Sequence, residues 1–254
     1  MNWQALDPGI LGPALAAGLL VLATHVPLGI QVLARGIVFI DLAVAQMAGT
    51  GVIAAHMLGW ELESWGVQAA AAASALAAAA LLTATERRWP DIQEALIGTL
   101  FVLSASAGVL LLSGDARGGE HLRELLVGQI LWVGAGQLLS AAALTALLLA
   151  AWVGLGPRLG RAGFYLIFAL AVTASVQLVG IYLVFASLII PAVATRGAQP
   201  RLAHAYAVGA AGYVLGLVLA ALADLPPGAM VVWTMALCGG AAALLRRARP
   251  ALPK

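Results

Sequence analysis

Four polar side chains that could bind a cation interrupt the first two apolar runs of the chain. His25 lies in the first run, and Asp41, Gln46 and His56 lie in the second. Ionisable groups inside apolar spans are costly, and carboxylate and imidazole groups are ligands of divalent cations. At about 1.5 Å per residue, His25 and Asp41 lie at matched depth, roughly 8–12 Å from one membrane boundary. These two residues either line a cation path, satisfy only each other and hold two helices together, or do neither.

The spacing of Asp41 and His56 permits both to face one cavity. They are fifteen residues apart, which places them about 60° apart around an α-helix. With Gln46 between them, they would form a path of weak, transient coordination for a divalent cation. His56 is near the end of its run, so it could equally be an interfacial histidine with no such role.

The composition predicts that these residues are carried by membrane-spanning helices. Of the 254 residues, 63% are hydrophobic and 9% are charged, whereas soluble domains contain about 25% charged residues. The net charge of +2 comes with no basic tract, so nucleic-acid binding has no support in the sequence. Cys238 is the only cysteine, which excludes an internal disulfide and a CxxC site.

Apolar runs long enough to span a bilayer predict an all-α polytopic bundle that forms a single domain over residues 1–254. No linker separates domains. The predicted spans cover residues 10–33, 36–58, 66–85, 94–113, 136–156, 163–190, 202–222 and 228–245. A short apolar helix is also predicted at 124–134.

The run at 163–190 is too long for one straight span and too short for two. Arginines should lie on the cytoplasmic side. Eight alternating crossings would instead place the arginines from Arg196 onward on the extracytoplasmic side. A broken or half-length crossing at Gly180, beside Ser175 and Gln177, restores agreement, with the N-terminus outside and the C-terminus inside. The arginines concerned are Arg35, Arg87, Arg88, Arg158, Arg161, Arg196, Arg201, Arg246, Arg247 and Arg249.

Two prolines bear on the predicted helices: Pro27 lies within the first apolar run, and Pro191 directly follows the sixth. Pro27 should kink the first span and free carbonyl groups. Pro191 is expected to begin a new short helix that faces a cytosolic partner, because proline is favoured in a first helical turn. The alternative is a plain turn between spans.

The lysine content argues against nucleotide hydrolysis by this chain. The only lysine is the last residue, Lys254, so no P-loop is present, and HExxH and GxSxG are also absent. We therefore expect a protein that is not an enzyme and that has no tightly bound cofactor.

Five segments in order resemble the permease subunits of bacterial metal-ion ABC importers, the zinc, manganese and iron type known as ABC-3. Each segment is weak evidence in a hydrophobic chain, but their order is specific. They are RGIVFIDLAVAQMAGTGV at 35–52, GTLFVLSASAGVLLLS at 98–113, GQIL at 128–131, SVQLVGIYLVFASLIIPAVATR at 175–196 and GLVLAALADLPPGAMVV at 216–232.

The resemblance implies a homodimeric permease of the bacterial cytoplasmic membrane, with separate cytosolic ATPase subunits and an extracytoplasmic metal-binding protein. A divalent metal, zinc or manganese, would be the transported substrate. The coupling segment that docks on the ATPase would comprise Pro191, Ala192, Val193, Ala194, Thr195 and Arg196.

The chain departs from the family pattern on the second span. Many members carry an aspartate and, four residues later, a histidine. Here Gln46 occupies the histidine position and Asp41 precedes the usual aspartate position by one residue. This departure leaves the transported metal open. Two other functions remain: an ATP-independent cation carrier or channel, and a membrane scaffold that transports nothing.

Overall fold

The computed structural model describes residues 6–62, 64–113, 119–120 and 126–247, and within these ranges every regular element is helical. The all-α prediction is therefore confirmed, and eight of these helices are long and apolar enough to cross a membrane. The helices are α1 Pro8–Arg35, α2 Ile40–Met57, α3 Trp65–Arg88, α4 Gln93–Leu112, α5 Ala135–Leu155, α6 Gly160–Val179, α7 Ile181–Ala194, α8 Arg201–Ala223 and α9 Pro227–Arg247.

The predicted short helix at 124–134 is not continuous. Leu126 and Val127 are helical, and Ile130–Trp132 forms a separate 3₁₀ turn, while Glu124 and Leu125 lie outside the described residues, as do His121, Arg249 and Lys254. The helix from Ala135 to Val179 bends at Gly160, whose φ of 56° and ψ of −156° are not helical. This bend separates α5 from α6.

The predicted break in the long apolar run is confirmed at Gly180. This residue has a φ of 81°, and it faces Gly128, whose φ is 72°. A Cβ atom on either glycine would overlap the backbone of the other segment. Only glycine combines the left-handed conformation with such a close approach. The following helix, α7, has 14 residues and is about 21 Å long, less than a 30 Å hydrocarbon layer.

Proline 27 frees a carbonyl group of the first helix, as predicted. It lies inside α1, so the carbonyl of Ala23 loses its usual helical partner. The Tyr206 hydroxyl of α8 donates a hydrogen bond to this carbonyl at 3.0 Å. Gly18 and Gly29 bring α1 close to Tyr213 and to the backbone at Leu188, which is the small-residue packing typical of membrane helices.

Proline 191 does not begin a new helix, so that prediction is wrong. It lies inside α7, which continues to Ala194 and is followed by a turn that leads to α8 at Arg201. Packing of α7 against α1, α8 and α9 holds the helix together through the proline, as neighbouring helices do in other membrane proteins. Residues 195–200 form a turn between α7 and α8, as the alternative prediction stated.

Arginines gather at one end of the bundle, which we call the arginine end. The Arg35 guanidinium lies 4.0 Å from the centre of the Phe164 ring. Arg161 Nε lies 3.8 Å from Glu86 Oε1, and buried Gln93 donates to the Leu82 carbonyl at 3.0 Å. These contacts join the ends of α1, α3, α4 and α6.

Candidate functional site

A cavity of about 350 Å³ opens at the end of the bundle opposite the arginine end. We call it the glutamine cavity, because the carboxamides of Gln129, Gln137 and Gln177 line it. Its wall also includes His56 and Trp132. The cavity thus combines side chains from α2, α5, α6 and the segment that precedes α5.

The break at Gly180 positions this polar wall. Gln177 lies in the last turn of α6 and is exposed, although most of α6 is buried. Gly128 contacts the backbone at Val179 and Gly180, which brings the neighbouring Gln129 to the same wall. Gln137 Oε1 accepts a hydrogen bond from the Gly134 amide at 3.0 Å, which fixes this side chain at the start of α5.

Asp41 lies fully buried in the first turn of α2. The helix dipole favours negative charge at this end of a helix. Yet neither carboxylate oxygen has a hydrogen-bond partner among the described residues. An unpartnered buried carboxylate is costly, and a cation would supply the missing partner.

His25 is also fully buried, on α1. Its Nδ1 lies 3.0 Å from the Val21 carbonyl and 3.0 Å from Thr24 Oγ1. Because a carbonyl only accepts, Nδ1 carries the proton in the bond to Val21, and the lone pair remains on Nε2. Nε2 is buried and has no hydrogen-bond partner among the described residues. It therefore presents an unused ligand atom.

The interpretation that His25 and Asp41 satisfy each other is wrong. Both His25 Nε2 and the Asp41 oxygens lack a hydrogen-bond partner in the described part of the chain. The physical reason is that α1 packs mainly on α6, α7 and α8, whereas α2 packs mainly on α3 and α4. Matched depth along two spans does not determine which way each helix faces.

Of the four residues predicted for a cation path, the structure brings only His56 to the glutamine cavity. Its Nδ1 lies 3.4 Å from the Trp60 carbonyl. Gln46 is half-buried on α2 and is about 140° from Asp41 around the helix. Asp41 lies about 22 Å from His56 along the helix axis.

The three glutamines were not predicted as a site from the sequence. Gln177 was noted only as part of a polar pair beside the break, and Gln137 was not singled out. A glutamine in the last turn of an apolar span was the available signal for Gln177. No group of three or more metal-binding His, Cys, Asp or Glu side chains occurs among the described residues.

The predicted coupling segment is mostly buried. Pro191, Ala192, Ala194 and Thr195 are buried, whereas Val193 is 52% exposed. Arg196 is exposed and lines a second cavity of about 410 Å³ together with Arg246 of α9. A partner protein would therefore reach this segment through Val193 and Arg196.

Comparison with known proteins identifies the family. The model of the ABC 3 transport family matches residues 9–154 and 149–243. No curated protein sequence matches the chain.

Two solved structures share the fold. The structure of PsaBC from Streptococcus pneumoniae in complex with Fab has a TM-score of 0.75 at 21% identity, covering 95% of each chain. An inward-facing metal-chelate type ABC transporter has a TM-score of 0.68 at 19% identity, covering 92% of this chain and 85% of its own. Since the family model matches most of the length of this chain, the chain belongs to the ABC 3 transport family.

Proposed function

We propose that this chain is the transmembrane permease subunit of an ATP-driven importer that carries a divalent metal ion, zinc or manganese, into the cytoplasm. The observation that carries the proposal is Asp41. Its carboxylate is fully buried, and neither oxygen has a hydrogen-bond partner among the described residues. In a membrane span such a group is expected to serve transport.

A metal ion would enter through the glutamine cavity, past His56, and then reach the buried carboxylate of Asp41. His25 Nε2 offers a second unused ligand atom inside the bundle. Gln46 lies between His56 and Asp41 on α2. A carboxylate, an imidazole and a carboxamide suit manganese and zinc without forming a tight structural site, so the ion could leave again.

The importer would need partner proteins. Membership of an ABC transport family, together with the missing P-loop, supports separate cytosolic ATPase subunits. An extracytoplasmic metal-binding protein would deliver the ion, and two copies of the permease would form a homodimer. One structure with the same fold is a metal-chelate type ABC transporter, which supports a metal as the cargo.

The positions of the arginines support an orientation in the membrane. Placing the arginine end in the cytoplasm satisfies the positive-inside rule for Arg35, Arg88, Arg161 and Arg196. The glutamine cavity then opens to the extracytoplasmic side of a bacterial inner membrane. The exposed Val193 and Arg196 would face the ATPase.

Metal uptake by reconstituted vesicles tests this proposal. The chain is co-expressed with ABC ATPase subunits and an extracytoplasmic metal-binding protein, and uptake of zinc, manganese and iron is measured with and without ATP. We expect ATP-dependent uptake of zinc or manganese. Absence of uptake of all three metals would refute the metal substrate.

An ATP-independent carrier is a second candidate, because unpartnered buried groups such as His25 and Asp41 also occur in ion-coupled carriers. The lone chain in liposomes under a proton or voltage gradient separates the two functions. Uptake by the lone chain would favour the carrier.

A further inference from the structure

The glutamine cavity has two properties that bear on the form in which a metal ion enters. Its volume is about 350 Å³. The residues with polar side-chain groups on its described wall are three glutamines, His56 and Trp132, and none of them is an aspartate or glutamate. The described part of the wall can therefore donate and accept hydrogen bonds through uncharged groups.

The volume exceeds what a bare ion needs. A water molecule occupies about 30 Å³ in the liquid, so six waters around a divalent cation occupy roughly 180 Å³. A hexahydrated ion thus fits the cavity with room for contact to the walls. A site that coordinates a dehydrated ion would instead bring ligand atoms to about 2.0–2.3 Å of the metal.

The carboxamides of the described wall also favour a hydrated ion. Removing water from a divalent cation is very costly, and uncharged carboxamides compensate for little of that cost. Carboxamide oxygens can instead accept hydrogen bonds from water already bound to the metal. Full dehydration would then occur deeper in the protein, where the carboxylate of Asp41 supplies charge.

Gln177 is the side chain best placed for this role. It is exposed in the cavity although its helix is mostly buried. It lies sixteen residues after Arg161, about 24 Å along α6, so it is below the surface of a 30 Å hydrocarbon layer. A polar side chain at that depth is costly unless water or a hydrated ligand fills the cavity.

We propose that the glutamine cavity binds the divalent cation with its hydration shell intact, through hydrogen bonds from metal-bound water to Gln177 and its neighbouring carboxamides. This inference rests on the proposed function, because it names the form in which that substrate enters. It assigns Gln177 as a substrate-binding residue at the entrance.

Hexaamminecobalt(III) provides the test, because its ammine ligands do not exchange and it imitates a hydrated cation. The transporter assembled with its ATPase subunits is placed in zwitterionic lipid nanodiscs. Binding of Mn²⁺ is followed by electron paramagnetic resonance, and hexaamminecobalt(III) is added as competitor. We expect it to displace Mn²⁺ from the wild-type protein.

Two substitutions at one exposed position give opposite expectations. Gln177→Leu should weaken binding of both cations about fivefold, since it removes one hydrogen-bonding group. Gln177→Glu should tighten both several-fold, since hydrogen bonds to a charged acceptor are stronger. Gln68→Leu on α3, outside the cavity wall, serves as the control and should bind both cations as the wild type does.

The outcomes separate this inference from the proposed function. Any one of three results would overturn the hydrated-ion site. These are failure of hexaamminecobalt(III) to displace Mn²⁺, binding of both cations by Gln177→Leu as in the wild type, and binding by the protein of a chelated metal only. Uptake is measured on the same purified transporter after reconstitution into sealed lipid vesicles, with its binding protein added. If uptake persists while competition fails, only the inference is lost. If no divalent metal is taken up, the proposed function fails.

Discussion

At the scale of the residue, the unusual feature is a buried carboxylate that does nothing visible for the fold. Asp41 is fully buried and has no hydrogen-bond partner within the described ranges. Structural ionisable groups in membrane spans are normally paired. An unpaired one should therefore reduce stability and be retained for transport.

Replacing Asp41 by asparagine separates these two effects. Asp41→Asn removes the charge and keeps the shape, so we expect a stability equal to the wild type or higher by about 1–3 kcal/mol. Metal uptake should fall at least about tenfold, because the cation loses its charged ligand. Thermal unfolding and vesicle uptake measure the two effects.

The matched control is Asp91→Asn, which changes an exposed aspartate. It should alter neither quantity. Loss of stability in Asp41→Asn with uptake unchanged would assign Asp41 a structural role and remove the main support for the proposed path.

At the scale of the element, the gap that Pro27 leaves in the hydrogen bonding of α1 is filled from α8. The Ala23 carbonyl, freed by Pro27, accepts its hydrogen bond from Tyr206. Tyr206→Phe should therefore lower the free energy of unfolding by about 1 kcal/mol. Tyr182→Phe, which alters an exposed tyrosine, should have little effect.

A double-mutant cycle checks the cause. In a Pro27→Ala background the helix can supply its own hydrogen bond to Ala23, so Tyr206→Phe should cost clearly less there. Thermal or denaturant unfolding of the four proteins measures the coupling. Equal costs in both backgrounds would show that Pro27 and Tyr206 act independently.

The end of α7 allows a prediction about the ATPase. Arg196 is exposed after α7, at the arginine end. Arg196→Glu reverses a charge in the proposed interface, so ATPase stimulation should fall at least about fivefold. Arg158→Glu reverses another exposed arginine, between α5 and α6, and should change stimulation less. Equal stimulation in wild type and Arg196→Glu would count against docking there.

The sequence predicted these elements better than it predicted their contacts. Hydropathy and arginine positions located the spans and the break at Gly180, because lipid and membrane polarity act on each segment separately. They did not show that Pro191 remains inside α7, since packing by neighbouring helices decides that. The glutamine cavity was missed because Gln129, Gln137 and Gln177 meet only after folding.

At the scale of the whole molecule, the arginine end and the glutamine cavity define two opposite faces. Their orientation can be tested with single cysteines in a Cys238→Ser background. Gly136→Cys lies near the cavity, and Ala203→Cys lies in the first turn of α8; both positions are exposed. A membrane-impermeant maleimide should label the first cysteine from outside intact spheroplasts. It should label the second only in inverted vesicles, and the reverse pattern would contradict the proposed orientation.

The same division of faces implies a division of labour among chains. A family permease without a P-loop would form the path, and a partner bound at Val193 and Arg196 would hydrolyse ATP. The central claim is that metal movement through this chain requires that partner.

The most direct measurement compares metal uptake by three proteoliposome preparations that contain the chain alone, the chain with active ATPase subunits, or the chain with ATPase subunits whose P-loop lysine is replaced. In each preparation the binding protein is on the extracytoplasmic side of the chain and ATP is on the cytoplasmic side. We predict zinc or manganese uptake only with the active ATPase subunits. Equal uptake in all three preparations, or no metal uptake in any of them, would contradict the account.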